Sequence, residues 1–98
     1  MLKRYVIERE IAGVGKLTKA ELGGAAKTSN QALSKLSGIQ WQHSYVAADR
    51  TYCIYLAESE DVIREHARLS GFPATKITEV IRIIDPVTQQ NERLERAA

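Results

Sequence analysis

Five side chains in this sequence are candidate ligands for a transition metal. They are two histidines, His43 and His66, one cysteine, Cys53, and two carboxylates that could complete a ligand set, Glu8 and Glu79. Each imidazole offers a ring nitrogen that suits nickel, copper or zinc, and the cysteine could add a thiolate. The sequence contains no HxH, HxxxH or CxxC spacing. A metal site would therefore have to be assembled by the fold from separate segments.

The same residues also have ordinary structural explanations. His43 lies between Trp41 and Tyr45, where an imidazole can stack on aromatic rings and form hydrogen bonds. His66 lies near the end of a predicted helix, just before a glycine turn, which suits a packed histidine. Cys53 can serve as a small buried hydrophobe. Metal binding and core packing both remain open for these positions.

Catalytic patterns are sparse. Ser44 follows His43, but neighbours on a strand point to opposite faces, which argues against a Ser-His pair. The segment from Gly13 to Thr18 leads into a predicted helix N-terminus, as phosphate-binding loops do, yet it lacks the full GxxxxGK[ST] spacing. The residues alone therefore indicate no particular reaction.

Composition indicates one small globular domain. The 98 residues are 44% hydrophobic, and 14 basic against 12 acidic side chains leave a net charge of +2. This near-equal number of basic and acidic side chains does not favour nucleic acid or an anionic membrane as a partner. A single cysteine excludes an intramolecular disulfide, and no stretch approaches the roughly 20 apolar residues of a membrane span. Because the N-terminus also lacks the apolar run of a signal peptide, we expect a cytoplasmic protein.

Hydrophobic periodicity predicts six elements that would position these side chains. A capping-box pattern of Thr18 and Glu21 begins the first helix, and Gly71 followed by Pro73 ends the second. The predicted elements are a strand over 5–10, a helix over 19–36, strands over 39–46 and 51–56, a helix over 60–70 and a strand over 76–84. Alternation along the second strand places His43 on the same side as Ile39, Trp41 and Tyr45.

This order of elements predicts an α+β, ferredoxin-like βαββαβ domain over residues 1–86, followed by a polar tail over 87–98. Its four-stranded antiparallel sheet would carry both helices on one face and leave the other face to be covered. More apolar strand residues are present than one two-layer core can bury, among them Ile7, Val46, Ile54, Val80 and Ile84. We therefore expect a homodimer that associates in the manner of a dimeric α/β barrel.

Three segments of the chain resemble a bacterial family. They are YVIER at 5–9, WQHSYV at 41–46 with TYCIY at 51–55, and REHA at 64–67 continuing through GFPA at 71–74 to Glu79 and Val80. The resemblance covers about residues 4–84. The family consists of small ferredoxin-like proteins and has long been classified as a domain of unknown function. One branch of the family is described as nickel-binding.

The resemblance implies a dimeric protein with histidine-containing metal sites. His43 and His66 match the histidines of the family motifs, whereas Glu8, Cys53 and Glu79 are candidates on chemical grounds alone. The preference for nickel comes only from the resemblance, because imidazole suits several metals.

Three hypotheses for the function follow. The first is a small nickel-binding protein with a buffering or sensing role and no catalysis. The second is an enzyme of the dimeric α/β-barrel type, similar to isomerases or monooxygenases, that uses His43 or His66 as acid or base on a small molecule in an apolar cavity. The third is a structural or partner-binding module. Convergence of both histidines on one accessible cavity would favour the first two.

Overall fold

The computed structural model describes residues 1–90 of the chain. Its elements, in chain order, are β1 (Lys3–Glu10), a 3₁₀ turn (Val14–Lys16), α1 (Lys19–Leu33), β2 (Ile39–Val46), β3 (Arg50–Ala57), α2 (Glu60–Ser70) and β4 (Lys76–Val80). The strands form one antiparallel sheet in the order β2-β3-β1-β4. The predicted α+β, ferredoxin-like fold is thereby confirmed. Among these elements, no helix is long and apolar enough to cross a membrane.

The proposed division into a domain over 1–86 and a tail over 87–98 stays a prediction, because most of the tail, residues 91–98, lies outside the described residues.

Both helix boundaries predicted from capping signals are present. The Thr18 hydroxyl accepts the Glu21 N–H at 3.2 Å, and the Glu21 carboxylate accepts the Thr18 N–H at 3.0 Å. This completes a capping box at the start of α1. At the end of α2, Gly71 adopts a left-handed backbone with φ of 80°, and its N–H donates to the Ala67 carbonyl.

Two elements are shorter than predicted. α1 ends at Leu33 rather than at Leu36, because the N–H groups of residues 35 and 36 bond to carbonyls three residues back, as in a tighter turn. β4 ends at Val80 rather than at Ile84. Val80 pairs with Arg4, near the beginning of β1, and the sheet as described offers residues 81–84 no further partner on that side.

A β-bulge in β2 reverses the predicted orientation of His43. Trp41 and His43 pair with adjacent residues of β3 although they are two apart in β2, which leaves Gln42 as the extra residue. Beyond the bulge, Ser44 takes the inner side, and its hydroxyl accepts the Trp41 indole N–H at 3.0 Å. The prediction that His43 and Tyr45 share a side with Trp41 was therefore wrong.

We call the helix-covered side of the sheet the inner face and the opposite side the outer face. The outer face consists of Arg4, Val6, Glu8 and Glu10 from β1, Gln40, His43 and Tyr45 from β2, Arg50, Tyr52, Ile54 and Leu56 from β3, and Lys76, Thr78 and Val80 from β4.

The hydrophobic core lies between the inner face and α2. Its buried members are Tyr5, Ile7, Cys53, Tyr55, Ala57 and Ile63. Full burial of an isoleucine stabilises a fold by about 1.5–3 kcal/mol, so Ile7 and Ile63 contribute strongly. α1 packs mainly against α2 and only loosely on the sheet. This looser packing opens a cavity beside the core.

Candidate functional site

The sheet separates the five candidate metal ligands. His43 and Glu8 lie on the outer face, whereas His66 and Cys53 lie on the inner side. Glu79 lies on the edge strand β4, with its carboxylate 3.7 Å from a lysine of β1. Across residues 1–90, no three histidine, cysteine or acidic side chains are grouped so that they could hold a metal ion. A complete metal site would need ligands from beyond this part of one chain.

His43 is an exposed histidine with a defined orientation. Its Nε2 lies 3.2 Å from the Tyr45 hydroxyl oxygen, and the two rings meet edge to face with centroids 5.1 Å apart. This contact positions an imidazole at the surface of the outer face. A metal ion could reach it from solvent without any opening of the fold.

Glu8, the carboxylate on the same face, is held by an arginine. Arg50 donates from Nη1 to a Glu8 carboxylate oxygen at 3.3 Å and from Nη2 to Glu10 at 2.7 Å. A metal ion would have to compete with Arg50 for Glu8. His43 is therefore the more available of the two outer-face candidates.

His66 has a structural environment. Its side chain is 0% exposed, and its Nε2 lies 3.2 Å from the Ser29 hydroxyl and 3.3 Å from the Ser29 carbonyl oxygen. Because a carbonyl can only accept, we assign the ring proton to Nε2, which links α2 to α1. Nδ1 is buried and has no hydrogen-bond partner among residues 1–90. The ring also lies against Tyr55, with centroids 5.4 Å apart.

Burial lowers the pKa of His66 below its ordinary value. The hydrogen bond to the Ser29 backbone opposes this effect, and the nearby positive charge of Arg9 adds to it. The imidazole is consequently neutral at neutral pH, which fits a packed ring that bonds through a single N–H.

The lowered pKa of His66 predicts a loss of stability on acidification. His66 binds a proton at higher pH in the unfolded chain than in the folded chain. The contribution of the neutral ring to the free energy of unfolding is therefore complete above about pH 6.5, and it falls as the pH drops below that value. Urea unfolding between about pH 7.5 and about pH 5.5 should show a steeper decline for the wild type than for His66→Gln. Equal slopes for the two proteins would contradict a buried, neutral His66.

A cavity of about 490 Å³ lies between α1 and the inner face. Its α1 wall consists largely of small side chains, including Ala25, Ala26 and Ser29, and Cys53 contributes to its floor. Phe72, in the loop after α2, also lines the cavity. The space therefore arises where the short side chains of α1 do not fill the gap between this helix and the sheet.

Arg9 is a buried charge in the wall of this cavity. It is 2% exposed, and its Nη1 donates to the carbonyls of Pro73 at 2.9 Å and Phe72 at 3.4 Å. Its Nη2 is buried and has no hydrogen-bond partner within residues 1–90. Tyr55 lies close by: burial raises the pKa of its phenol, and the Arg9 charge opposes that rise.

Sequence reasoning did not identify Arg9. A usable signal was present, because Tyr5, Ile7 and Arg9 alternate along β1 and must share one face. The first two are core residues, and the alternation places Arg9 on the inner face with them. The cavity itself has no comparable signal, since it depends on how far α1 stands from the sheet.

The comparisons with known proteins agree with the resemblance seen in the sequence. Residues 5–80 match the family model described as nickel responsive protein SCO4226-like. The chain belongs to this family. Its fold is similar to the crystal structure of SCO4226 from Streptomyces coelicolor A3(2), with a TM-score of 0.69 over 83% of this chain and 99% of that chain, at 18% identity. No curated protein matches the chain.

Within residues 1–90, the side chains of one copy do not form a complete site for the nickel that the family name suggests. The unpaired Nδ1 of His66 is a free lone pair, but no described cluster of donors surrounds it. His43 is available on the outer face and is likewise a single donor. Neither histidine lines the cavity, so the two do not converge there, and that expected support for metal binding and for an enzyme is absent. The geometry also does not support an acid or base histidine acting on a molecule bound in the cavity.

Proposed function

We propose that this protein is a nickel-responsive binding protein that acts as a homodimer and uses His43 as a metal ligand. The observation that carries the proposal is the position of His43, which the bulge in β2 turns onto the outer face. His66, by contrast, is buried with its Nε2 bonded to Ser29. The proposal therefore assigns the two family-motif histidines different roles, one in metal binding and one in packing.

Exposed apolar surface supports a second copy of this chain as the partner. Tyr45 on the outer face is 61% exposed, and beyond β4 the side chains of Ile81, Ile83 and Ile84 are 76%, 63% and 80% exposed. Tyr45 and these isoleucines lie at opposite edges of the sheet, on β2 and after β4. Exposed apolar groups mark interaction surfaces, and two-fold dimers are the commonest assemblies. A dimer formed through the outer face would cover Tyr45, and the segment after β4 would lie against the partner.

Such a dimer would also supply the ligands that one copy lacks. His43 is level with Val6 across the sheet, so His43 and Glu8 of one copy lie two strand spacings and two residues apart, on the order of 12 Å. They therefore cannot readily share one ion. A two-fold axis brings a second set of the same donors to the same interface. An ion between the copies could then take His43 from one and a carboxylate from the other, with water completing the nitrogen and oxygen set that suits nickel.

The chemistry of this arrangement suits sensing or buffering. An imidazole at a protein surface exchanges metal readily, because binding requires no unfolding. The specificity for nickel is inferred from the family, since imidazole alone does not select nickel over copper or zinc. A reducing, cytoplasmic setting forms part of the proposal, and the single buried Cys53 is compatible with it.

Nickel titration of untagged protein tests the proposal. We expect micromolar or tighter binding at about pH 8 and weaker binding at about pH 5.5, because protons compete with the metal for imidazole nitrogen. His43→Ala should weaken the affinity by about tenfold or more. Calorimetry gives the affinity, and native mass spectrometry gives the number of ions per dimer.

His66→Gln is the matched control for this titration, because it removes the other imidazole while keeping a donor for Ser29. We expect its nickel affinity to equal that of the wild type. Unchanged binding in His43→Ala would show that His43 is not a ligand, and a loss confined to His66→Gln would reverse the assignment of the two histidines.

A further inference from the structure

The cavity beside α1 has no role in the proposed metal site. The metal candidate His43 lies on the outer face, whereas the cavity lies on the inner side of the sheet. Its volume of about 490 Å³ is within the range of small-molecule sites. What it could hold depends on the side chains that line it.

The lining of the cavity is mainly apolar. Val14 from the 3₁₀ turn, Leu17 and Leu22 near the start of α1, and Phe72 after α2 supply large apolar groups. The small side chains of α1 leave the centre open. A molecule with an apolar body would bury its surface here with little rearrangement of the protein.

The polar groups are gathered around Arg9. Thr51 pairs with Arg9 in the sheet, Tyr55 lies next to its guanidinium, and Ser29 lies next to Tyr55. No acidic side chain within residues 1–90 forms an ion pair with Arg9, which is held by two carbonyls and keeps Nη2 unpaired. A buried positive charge without a counter-ion is unfavourable, and an anion brought close to it would relieve that cost.

We infer that this cavity binds a small amphiphilic carboxylate, with its apolar body among Val14, Leu17, Leu22 and Phe72 and its carboxylate at Arg9. Because Arg9 Nη2 is buried, the Arg9 side chain has to shift toward the cavity when the ligand binds. Nη2 then donates a charge-assisted hydrogen bond to the carboxylate of the ligand. Since Arg9 Nη1 is bonded to the carbonyls of Phe72 and Pro73, the ligand also stabilises the loop after α2. The inference concerns binding alone and goes beyond the nickel proposal.

Decanoate is a suitable probe, and decanol is its neutral counterpart. Trp41 lines the cavity and is the single tryptophan of the chain, so its fluorescence reports occupancy directly. We expect decanoate to change the Trp41 emission in a saturable way and to bind about tenfold or more tightly than decanol. Calorimetry on the same samples supplies the stoichiometry.

Two variants of the full chain test the separate parts of the inference. Arg9→Met keeps the length of the side chain but removes its charge, and should abolish the preference for decanoate over decanol. Ala26→Phe fills the cavity from α1 and leaves the fold intact. It should lower the affinity for both decanoate and decanol by about tenfold or more. His43→Ala should bind decanoate as the wild type does, so the outcome is independent of nickel binding.

Equal affinity of the wild type for decanoate and decanol would overturn the inference, because the charge of Arg9 would then play no part. Absence of a saturable signal with either probe would also overturn it. If Ala26→Phe binds decanoate unchanged, the site lies elsewhere. Decanoate binding that converts a dimer to monomers would show that a second copy, rather than a small molecule, is the natural occupant.

Discussion

Replacing His66 with alanine is expected to lower the free energy of unfolding by about 3 kcal/mol. The side chain is fully buried, packs against Tyr55 and bonds through Nε2 to Ser29. Truncation leaves a cavity between α2 and the sheet and removes the link between the helices. For a domain of this size, the melting temperature should fall by about 10–20 °C. Thermal unfolding of metal-free protein measures the change.

His43→Ala is the natural control, because it makes the same chemical change on the opposite side of the sheet. In a single copy His43 is exposed, and among residues 1–90 its side chain bonds to Tyr45 alone. We therefore expect its removal to change the free energy of unfolding of the metal-free monomer by about 0.5 kcal/mol or less. Similar losses in both variants would mean that His43 is also buried, for example by a second copy. Similar small effects would mean that His66 is not packed as described.

The order of elements was predictable because local signals agree with the fold. Thr18 and Glu21 form the capping box that their spacing predicts, and Gly71 ends α2 where a left-handed residue is needed. The periodicity of β1, β3 and α2 matches the face that each of them buries. These signals act within a few residues, so they can be read from the sequence without knowledge of tertiary contacts.

The position of His43 was not predictable in this way. Ile39, Trp41, His43 and Tyr45 continue an unbroken alternation, and all four residues would suit a single face. The bulge at Gln42 depends on the register between β2 and β3, which is a non-local property of the sheet. One extra residue changed the face of the main metal candidate, and with it the interpretation of the site.

The end of β4 shows the same limit. The run from Lys76 to Ile84 has the composition of a strand, but a strand needs a neighbouring strand to pair with. The pairing of β4 with β1 ends where Val80 meets Arg4, so β1 offers no partner for the residues that follow. The sequence correctly indicates a surplus of apolar residues there. We expect a second copy of the chain to cover them.

Ile83→Glu addresses the dimer and the metal site together. In one copy the Ile83 side chain is 63% exposed, so a glutamate should leave the fold of the monomer intact. If a second copy covers Ile83, the same change buries an unpaired charge, which costs about 2 kcal/mol or more. The dissociation constant of the dimer should then rise by about thirtyfold or more. Sedimentation or light scattering across a range of protein concentrations measures this constant.

Nickel affinity should fall in parallel in Ile83→Glu, although the substitution removes no candidate ligand, because the proposed site draws donors from two copies. Gln31→Glu introduces the same charge on the exposed side of α1 and should change neither the dimer nor nickel binding. A wild-type protein that stays monomeric near 10.9 kDa at high concentration would disprove the dimer. A monomeric Ile83→Glu variant with full nickel affinity would instead place the complete ligand set within one chain, and it would separate metal binding from association.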